Sequence, residues 1–268
     1  RRVSERYRKA RAGSLLPSLD KFVFTLENGR KLSLKGDPDT TYRKTFLNAI
    51  IEEILNQNIN NGFVSGDCIL PVLLMDWVTG ISMREYIHMH LYESRLLLDL
   101  ADHFLVMVSK LHQHHIAHGD LHGMNIIVKD NGELVLIDYD AIYLPNFEGE
   151  EEWNKGMLGF QHPARLINKY MSEKSDYFSE QVIYTSIIAL AYYPYLWNQL
   201  DLDHKMTLLF TPEDIESKGQ SEIFSYLLNL PHVNVLTEEI IKSLHKDSIA
   251  DILPIETIIC NKTSNSIF

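Results

Sequence analysis

The 268-residue chain contains little cysteine and no long apolar run. Its two cysteines, Cys68 and Cys260, lie far apart and lack the short spacing of a metal-binding pair, so we expect reduced thiols in a cytoplasmic protein. No uninterrupted apolar stretch approaches the roughly 20 residues that cross a bilayer, and no signal peptide opens the sequence. These absences argue against a membrane-spanning protein and against a disulfide-stabilised secreted domain.

Positive charge is also scarce. The sequence holds 25 Lys and Arg against 36 Asp and Glu, which gives a formal net charge of −11. Nucleic-acid backbones are bound through clustered Lys and Arg, so this balance argues against a nucleic-acid partner. The basic cluster within residues 1–12, which holds six Arg or Lys, is expected to be a solvated helix face, with a nucleic-acid or membrane-binding patch as the alternative.

The most informative stretch is His118–Asp140, with the sequence HGDLHGMNIIVKDNGELVLIDYD. Its spacing predicts a polar loop over residues 118–125, a strand over 126–129 and a second strand over 133–137. The intervening Asn131-Gly132 pair accepts the positive φ of a tight hairpin turn. The hairpin is therefore expected to bring three polar side chains to one end of a small sheet: Asp120, Asn125 and Asp138.

These three residues have the chemistry that phosphoryl transfer requires. A carboxylate at Asp120 can accept the proton of an attacking hydroxyl. Asn125 and Asp138 offer oxygen ligands of the kind that Mg²⁺ prefers. Because phosphoryl transfer depends on positioning and charge neutralisation more than on covalent chemistry, this set is a candidate phosphotransferase site.

The spacing H-x-D-x-x-x-x-N, followed by a short hairpin and an Asp, resembles the catalytic core of protein kinases. The variant His118-Gly119-Asp120-Leu121 is also similar to aminoglycoside and choline kinases. The resemblance implies an α+β, two-lobed fold with a small β-rich N-lobe over residues 1–79 and a mainly helical C-lobe over residues 80–268. It also implies ATP and Mg²⁺ as cofactors, with Asp120, His122 and Asn125 in the catalytic loop and Asn125 and Asp138 as metal ligands.

The stretch that follows departs from the protein-kinase pattern in ways that bear on regulation. Gly119 stands where many protein kinases carry the arginine that pairs with a phosphorylated loop. After Tyr143, residues 144–165 contain no Ser, Thr or Tyr, so activation by loop phosphorylation is not expected. The acidic residues within 148–152 are expected to form a solvated face, with recognition of basic substrates as the alternative. Arg165 stands where protein kinases carry a glutamate.

The N-terminal part contains the residues that the resemblance assigns to the nucleotide phosphates. Residues 22–35 alternate apolar and polar around Asn28-Gly29 and predict a β-hairpin. Lys35 at its end would hold the α- and β-phosphates and pair with Glu53 of a helix predicted over residues 40–56. No Gly-x-Gly-x-x-Gly precedes the hairpin. Either the phosphate-covering loop is absent, or it takes another form, or it lies upstream of the first residue and the N-lobe is truncated.

A buried apolar run over residues 69–80 ends at a glycine and resembles the kinase strand and hinge that carry the adenine. Backbone groups at Asp76 and Val78 would bond the base. Met75 would stand at the back of the nucleotide pocket.

The C-terminal part is predicted to be helical. Helices are expected over residues 94–112, 212–230 and 237–250, and the apolar residues 182–191 predict a buried central helix. Asp176 resembles the kinase aspartate that holds the catalytic-loop backbone. Asp138-Tyr139-Asp140, where the usual third residue is glycine, together with Gln161-His162-Pro163 and this helix resembles a group of uncharacterised bacterial kinase-like proteins.

The histidines near the loop do not have to form a metal site. Those at 112–115 end a predicted helix, where an imidazole favours the C-terminal dipole. His118 is expected to brace the loop. His122 occupies the position of a protein-kinase lysine, and contact with the γ-phosphate is the role that the resemblance implies for it.

The sequence therefore predicts a cytoplasmic ATP- and Mg²⁺-dependent kinase that binds nucleotide and transfers phosphate to a Ser or Thr hydroxyl of a protein substrate. A small-molecule kinase is the alternative that His-Gly-Asp-Leu supports. A pseudokinase that binds or scaffolds without turnover is the alternative that the missing glycine loop and Asp140 support.

Overall fold

The computed structural model describes the backbone of five short strands between Phe22 and Asp76 and the continuous stretch of residues 78–265, with side chains for residues 78–261. The chain divides into two compact units, Arg1–Val78 and Thr79–Phe268. They are called the N-terminal unit and the C-terminal unit below.

The described part of the N-terminal unit is made of antiparallel strands. One sheet has the order β1-β2-β5, and a second sheet pairs β3 with β4. The five strands are β1 (Phe22–Thr25), β2 (Lys31–Leu34), β3 (Phe63–Ser65), β4 (Cys68–Leu70) and β5 (Leu74–Asp76). Phe22 pairs with Leu34 and Thr25 with Lys31, which confirms the hairpin predicted around Asn28-Gly29.

A three-stranded antiparallel sheet opens the C-terminal unit, with the order β6 (Ile81–Ser82), β7 (Ile126–Val128) and β8 (Leu134–Leu136). The turn between β7 and β8 is closed by the Gly132 N–H, which donates to the Lys129 carbonyl at 2.9 Å. Gly132 has a φ of +81°, a conformation that glycine adopts without steric cost. The hairpin predicted from the sequence is therefore confirmed.

Most of the secondary structure of the C-terminal unit is helical. The longer helices are α1 (Met83–Met89), α2 (Ser94–Gln113), α4 (Tyr177–Tyr192), α8 (Asn234–Leu244) and α9 (Ile255–Asn265). The shorter ones are α3 (Pro163–Ile167), α5 (Leu196–Gln199), α6 (Pro212–Glu216) and α7 (Glu222–Leu227). Among the described helices, none combines the length and the apolar character needed to cross a membrane.

The helix predicted over residues 212–230 is wrong as a single element, because the structure has α6 and α7 there. The chain breaks between them at Lys218 and Gly219, whose φ angles of +52° and +89° lie in the left-handed region. A right-handed helix cannot continue through two such residues. A threonine capping box begins α6, since the Thr211 side chain and Asp214 exchange hydrogen bonds.

The core of the C-terminal unit surrounds α4, whose residues 178–191 are all buried. Helix α2 presents an apolar stripe to it, formed by Leu97, Leu100, Ala101, Phe104 and Val108. Helices α8 and α9 also pack on α4. Because α4 is buried on every side, it is the central helix that the sequence predicted over residues 182–191.

A partly buried ionic group joins three of these helices. His112 of α2 bonds Glu180 of α4 through Nε2 at 2.7 Å and Glu256 of α9 through Nδ1 at 2.5 Å. Burial alone would lower the pKa of His112, but the two carboxylates raise that pKa to about 10. The imidazole therefore carries a proton on each nitrogen and bridges two acids, which is a role the expected helix-dipole contact did not include.

Exchanging His112 for Gln should lower the free energy of unfolding by about 3–5 kcal/mol, because the cation shared by Glu180 and Glu256 is lost. The stabilisation by His112 is fully present below its ordinary pKa of 6.5 and is lost as the pH rises toward about 10. Denaturant unfolding at about pH 6 and about pH 10 should therefore show the difference between wild type and variant shrinking.

The control is His115→Gln, which removes a pair with Glu173 whose side chains are 68% and 41% exposed. This exposed pair should contribute little at either pH. A His112→Gln penalty as small as that of the control, or one that grows with pH, would contradict the assignment.

Candidate active site

His118 braces the polar loop against the end of β8. Its Nε2–H donates to the Ile137 carbonyl at 2.9 Å, and its Nδ1 accepts the Asp120 N–H at 3.3 Å. One ring nitrogen donates and the other accepts, so the neutral imidazole satisfies both bonds. The bracing role predicted for His118 is confirmed.

The structure brings Asp120 and Asn125 together and places Asp138 directly after a residue bonded to Asn125. The Asn125 Nδ2 donates to the Asp120 carbonyl at 2.9 Å, and the Ile137 N–H donates to the Asn125 carbonyl at 3.0 Å. Asp138 has a φ of +69°. A left-handed aspartate is uncommon, and such residues cluster at functional sites.

Asp120 is almost fully buried, with 1% of its surface exposed. Its Oδ1 accepts the backbone N–H of Met157 at 2.7 Å. The His122 Nε2 lies 3.6 Å from the same oxygen, which is longer than a hydrogen bond. His122 is thus an electrostatic neighbour of Asp120, and its predicted contact with a γ-phosphate stays a prediction.

A buried carboxylate at the start of α4 holds the loop backbone. Asp176 accepts the N–H of Gly119 at 2.9 Å through Oδ1 and the N–H of His118 through Oδ2. Burial raises the pKa of Asp176, although the nearby Arg165 charge opposes the rise. The prediction that Asp176 holds the backbone of this loop is confirmed.

A buried arginine binds the other side of the same peptide segment. Arg165 has no exposed surface, and its Nη2 donates to the Gly119 carbonyl at 2.6 Å and to Glu152 Oε1 at 2.6 Å. The expectation that residues 148–152 form a solvated face is therefore wrong for Glu152, whose side chain is 2% exposed. The presence of Arg165 in place of a glutamate could be noticed in the sequence. No local pattern predicted that it would pair with Glu152.

The remaining predicted site residues lie in the N-terminal unit. Met75 and Asp76 are on β5, where they pair with Ser33 and Leu32 of β2. Val78 follows β5 and is half-buried. Two further predictions, Lys35 and Glu53, fall outside the described residues, as does the helix predicted over residues 40–56. The nucleotide-binding roles of all five residues stay predictions.

Comparisons with known proteins agree with this architecture. The ABC1 atypical kinase-like domain matches residues 64–148, a stretch that includes the polar loop and the β7–β8 hairpin. No curated protein matches the sequence. Among solved structures, the chain is similar to the kinase PK-1 of Cydia pomonella granulovirus, with 16% identity, a TM-score of 0.50 and 91% of each chain covered.

This likeness shows the fold. The chain has a protein-kinase-like α+β fold with a small β-rich N-terminal unit and a mainly helical C-terminal unit, which confirms the predicted fold class. The specific resemblance to bacterial kinase-like proteins stays a prediction.

Exchanging Gly119 for Ala should disrupt the loop. Gly119 has a φ of +79°, and an added Cβ would lie 2.0 Å from the Ala141 carbonyl oxygen. The left-handed conformation alone costs an alanine about 1–2 kcal/mol. The clash should add about 1–3 kcal/mol, which denaturant unfolding measures.

Gly149→Ala is the matched control for this substitution. Gly149 has a φ of +84°, and no atom lies within 4 Å of an added Cβ. It therefore reports the conformational cost without the clash. Equal losses in the two variants would show that the Gly119–Ala141 packing does not constrain the loop.

Proposed function

We propose that the chain is an ATP- and Mg²⁺-dependent phosphotransferase that transfers the γ-phosphate to a Ser or Thr hydroxyl of a protein. The observation that carries the proposal is the hydrogen-bonded linkage of Asp120, Asn125 and Ile137-Asp138 at one end of the β7–β8 hairpin. The protein-kinase-like fold supports it. In phosphoryl transfer, groups held in this way supply positioning and electrostatic stabilisation.

Asp120 would act on the acceptor. The Met157 N–H on Oδ1 and the braced backbone hold the carboxylate in one orientation. In the proposed reaction this carboxylate orients the attacking hydroxyl and takes its proton, while the hydroxyl oxygen bonds to phosphorus and the bond to ADP breaks.

Asn125 and Asp138 fit the requirements of Mg²⁺. The Asn125 Nδ2 is engaged by the Asp120 carbonyl, so the amide Oδ1 is the end that can serve as a ligand. Asp138 adds a carboxylate, which gives the hard oxygen donors that Mg²⁺ prefers. When bound, the ion neutralises charge on the ATP phosphates.

A protein acceptor is favoured by the long segment between Asp138 and Arg165, which carries Met157 to Asp120. Phosphorylation of a small-molecule hydroxyl is the second candidate, favoured by the sequence His118-Gly119-Asp120-Leu121. The match to an atypical kinase-like domain supports a kinase reaction of either kind.

Binding of ATP with Mg²⁺ should raise the melting temperature of the wild type and leave that of Asp138→Asn nearly unchanged. At a ligand concentration about 100 times Kd, binding adds about 2.7 kcal/mol, or about 5–10 °C in Tm for a chain of this size. Asp130→Asn, which neutralises an exposed carboxylate at the hairpin turn, is the control and should respond like the wild type. A Mg²⁺-dependent rise that survives in Asp138→Asn, or no rise in any variant, would overturn the nucleotide site.

The Asp120→Asn variant should lose catalysis but still bind ATP. The amide cannot accept the hydroxyl proton, so turnover of ATP with a mixture of Ser- and Thr-containing peptides should fall by about 100-fold or more. The rise in Tm with ATP and Mg²⁺ should stay within roughly one or two degrees of the wild-type rise, because the substitution changes ATP binding little. Turnover within about threefold of the wild type would exclude Asp120 as the catalytic carboxylate.

A further inference from the structure

We propose that the buried Glu152–Arg165 pair is a built-in lock on the active site, which replaces phosphorylation of residues 138–165 as the means of ordering that segment. The lock rests on the proposed function, because it concerns regulation of the same site. Arg165 is a positioning residue in it, since it reaches Asp120 through the peptide of Gly119.

The Arg165 guanidinium has an acceptor for each of its five N–H groups. Glu152 Oε1 accepts from Nε at 3.1 Å and from Nη2 at 2.6 Å, and the Gly119 carbonyl accepts the second Nη2–H. The Nη1 donates to Gln161 Oε1 and to the Ser175 carbonyl at 3.4 Å. A planar fork is required for this arrangement, and the ammonium of lysine cannot reproduce it.

Glu152 supplies, without any modification, the acidic group that a regulated loop would gain from a phosphate. Its Oε1 binds Arg165, and its Oε2 accepts from Lys155 Nζ at 2.7 Å. Its backbone N–H donates to the Lys169 carbonyl at 2.9 Å. A phosphate orders a segment by pairing with basic side chains, and this carboxylate makes the same kind of pairing without modification.

The lock is connected to Asp120 from two directions. Arg165 holds the Gly119 carbonyl, one residue before Asp120, while Asp176 holds the Gly119 N–H. The segment also contacts Asp120 directly at Met157, whose N–H donates to Asp120 Oδ1 at 2.7 Å. Residues 152–157 are therefore tied to the loop at both of their ends.

The hydroxyl groups of the segment are poorly suited to a switch. Residues 138–165 contain only Tyr139 and Tyr143 as phosphate acceptors. Tyr143 is 7% exposed, and Tyr139, which is 43% exposed, has its hydroxyl engaged as a donor to the Leu136 carbonyl. Neither lies in the stretch 144–165 that the Glu152–Arg165 pair orders.

The test compares the wild type with the double variant Glu152→Gln and Arg165→Met, which removes both charges of the pair together. We expect kcat for ATP turnover to fall at least about tenfold while KM for ATP stays within about twofold, because the loss is one of positioning. Hydrogen–deuterium exchange over residues 144–165 should become at least about tenfold faster, while exchange in α4 is unchanged. Phosphatase treatment of the wild type should leave turnover unchanged.

The matched control is the double variant Glu151→Gln and Lys169→Met. It removes a neighbouring pair with one member, Glu151, in the same segment. Its side chains are 41% and 62% exposed, and both readouts should stay within about twofold of the wild type. If the lock variant does not fold, Arg165→Lys keeps the charge, removes the fork and should show the same changes.

Two results would overturn the lock: wild-type kcat and exchange in the folded lock variant, or loss of wild-type turnover after phosphatase treatment. Absence of ATP binding by the wild type would refute the proposed function instead. The exchange rates over residues 144–165 would then still decide whether Glu152 and Arg165 order the segment.

Discussion

Two buried charges of opposite sign hold the backbone on either side of Gly119, and the geometry of the candidate site depends on them. Asp176 binds the N–H and Arg165 binds the C=O of this residue. Neither charge would be tolerable in the core alone, because an unpaired buried ion is costly. The loop amides and carbonyls therefore satisfy the charges while the charges position the loop, and Asp120 follows at the next residue.

The helical core makes these two anchors rigid. Asp176 precedes α4, which is buried along its length, so the carboxylate is fixed relative to the centre of the C-terminal unit. Arg165 lies in α3, which begins after His162. The His162 Nδ1 accepts the Ala164 N–H at 3.1 Å, and its Nε2–H donates to the Ser243 carbonyl of α8 at 2.8 Å. The packed helices thus fix the position of the loop through hydrogen bonds.

The parts of the fold and site that could be predicted from the sequence are those set by local spacing. The stretch His118–Asp140 contains its own loop, turn and strands, so its geometry follows from residues a few positions apart. The pairing of Arg165 with Glu152, and of His112 with two acids, depends on how distant segments meet, which no local pattern encodes. Propensity also predicted one helix over residues 212–230, where left-handed residues at 218 and 219 divide it.

The absence of an arginine beside Asp120 follows from the packing of the loop. Gly119 lies against the Ala141 carbonyl, which leaves no room for any side chain there. Ala117 and Tyr143 exchange backbone hydrogen bonds at 3.2 and 2.8 Å, so the segment after Asp138 begins in contact with the loop. The positively charged side chain that binds the loop accordingly comes from a different element, at Arg165 of α3. Residues 138–165 are thus anchored at their start, middle and end by contacts that do not require phosphorylation.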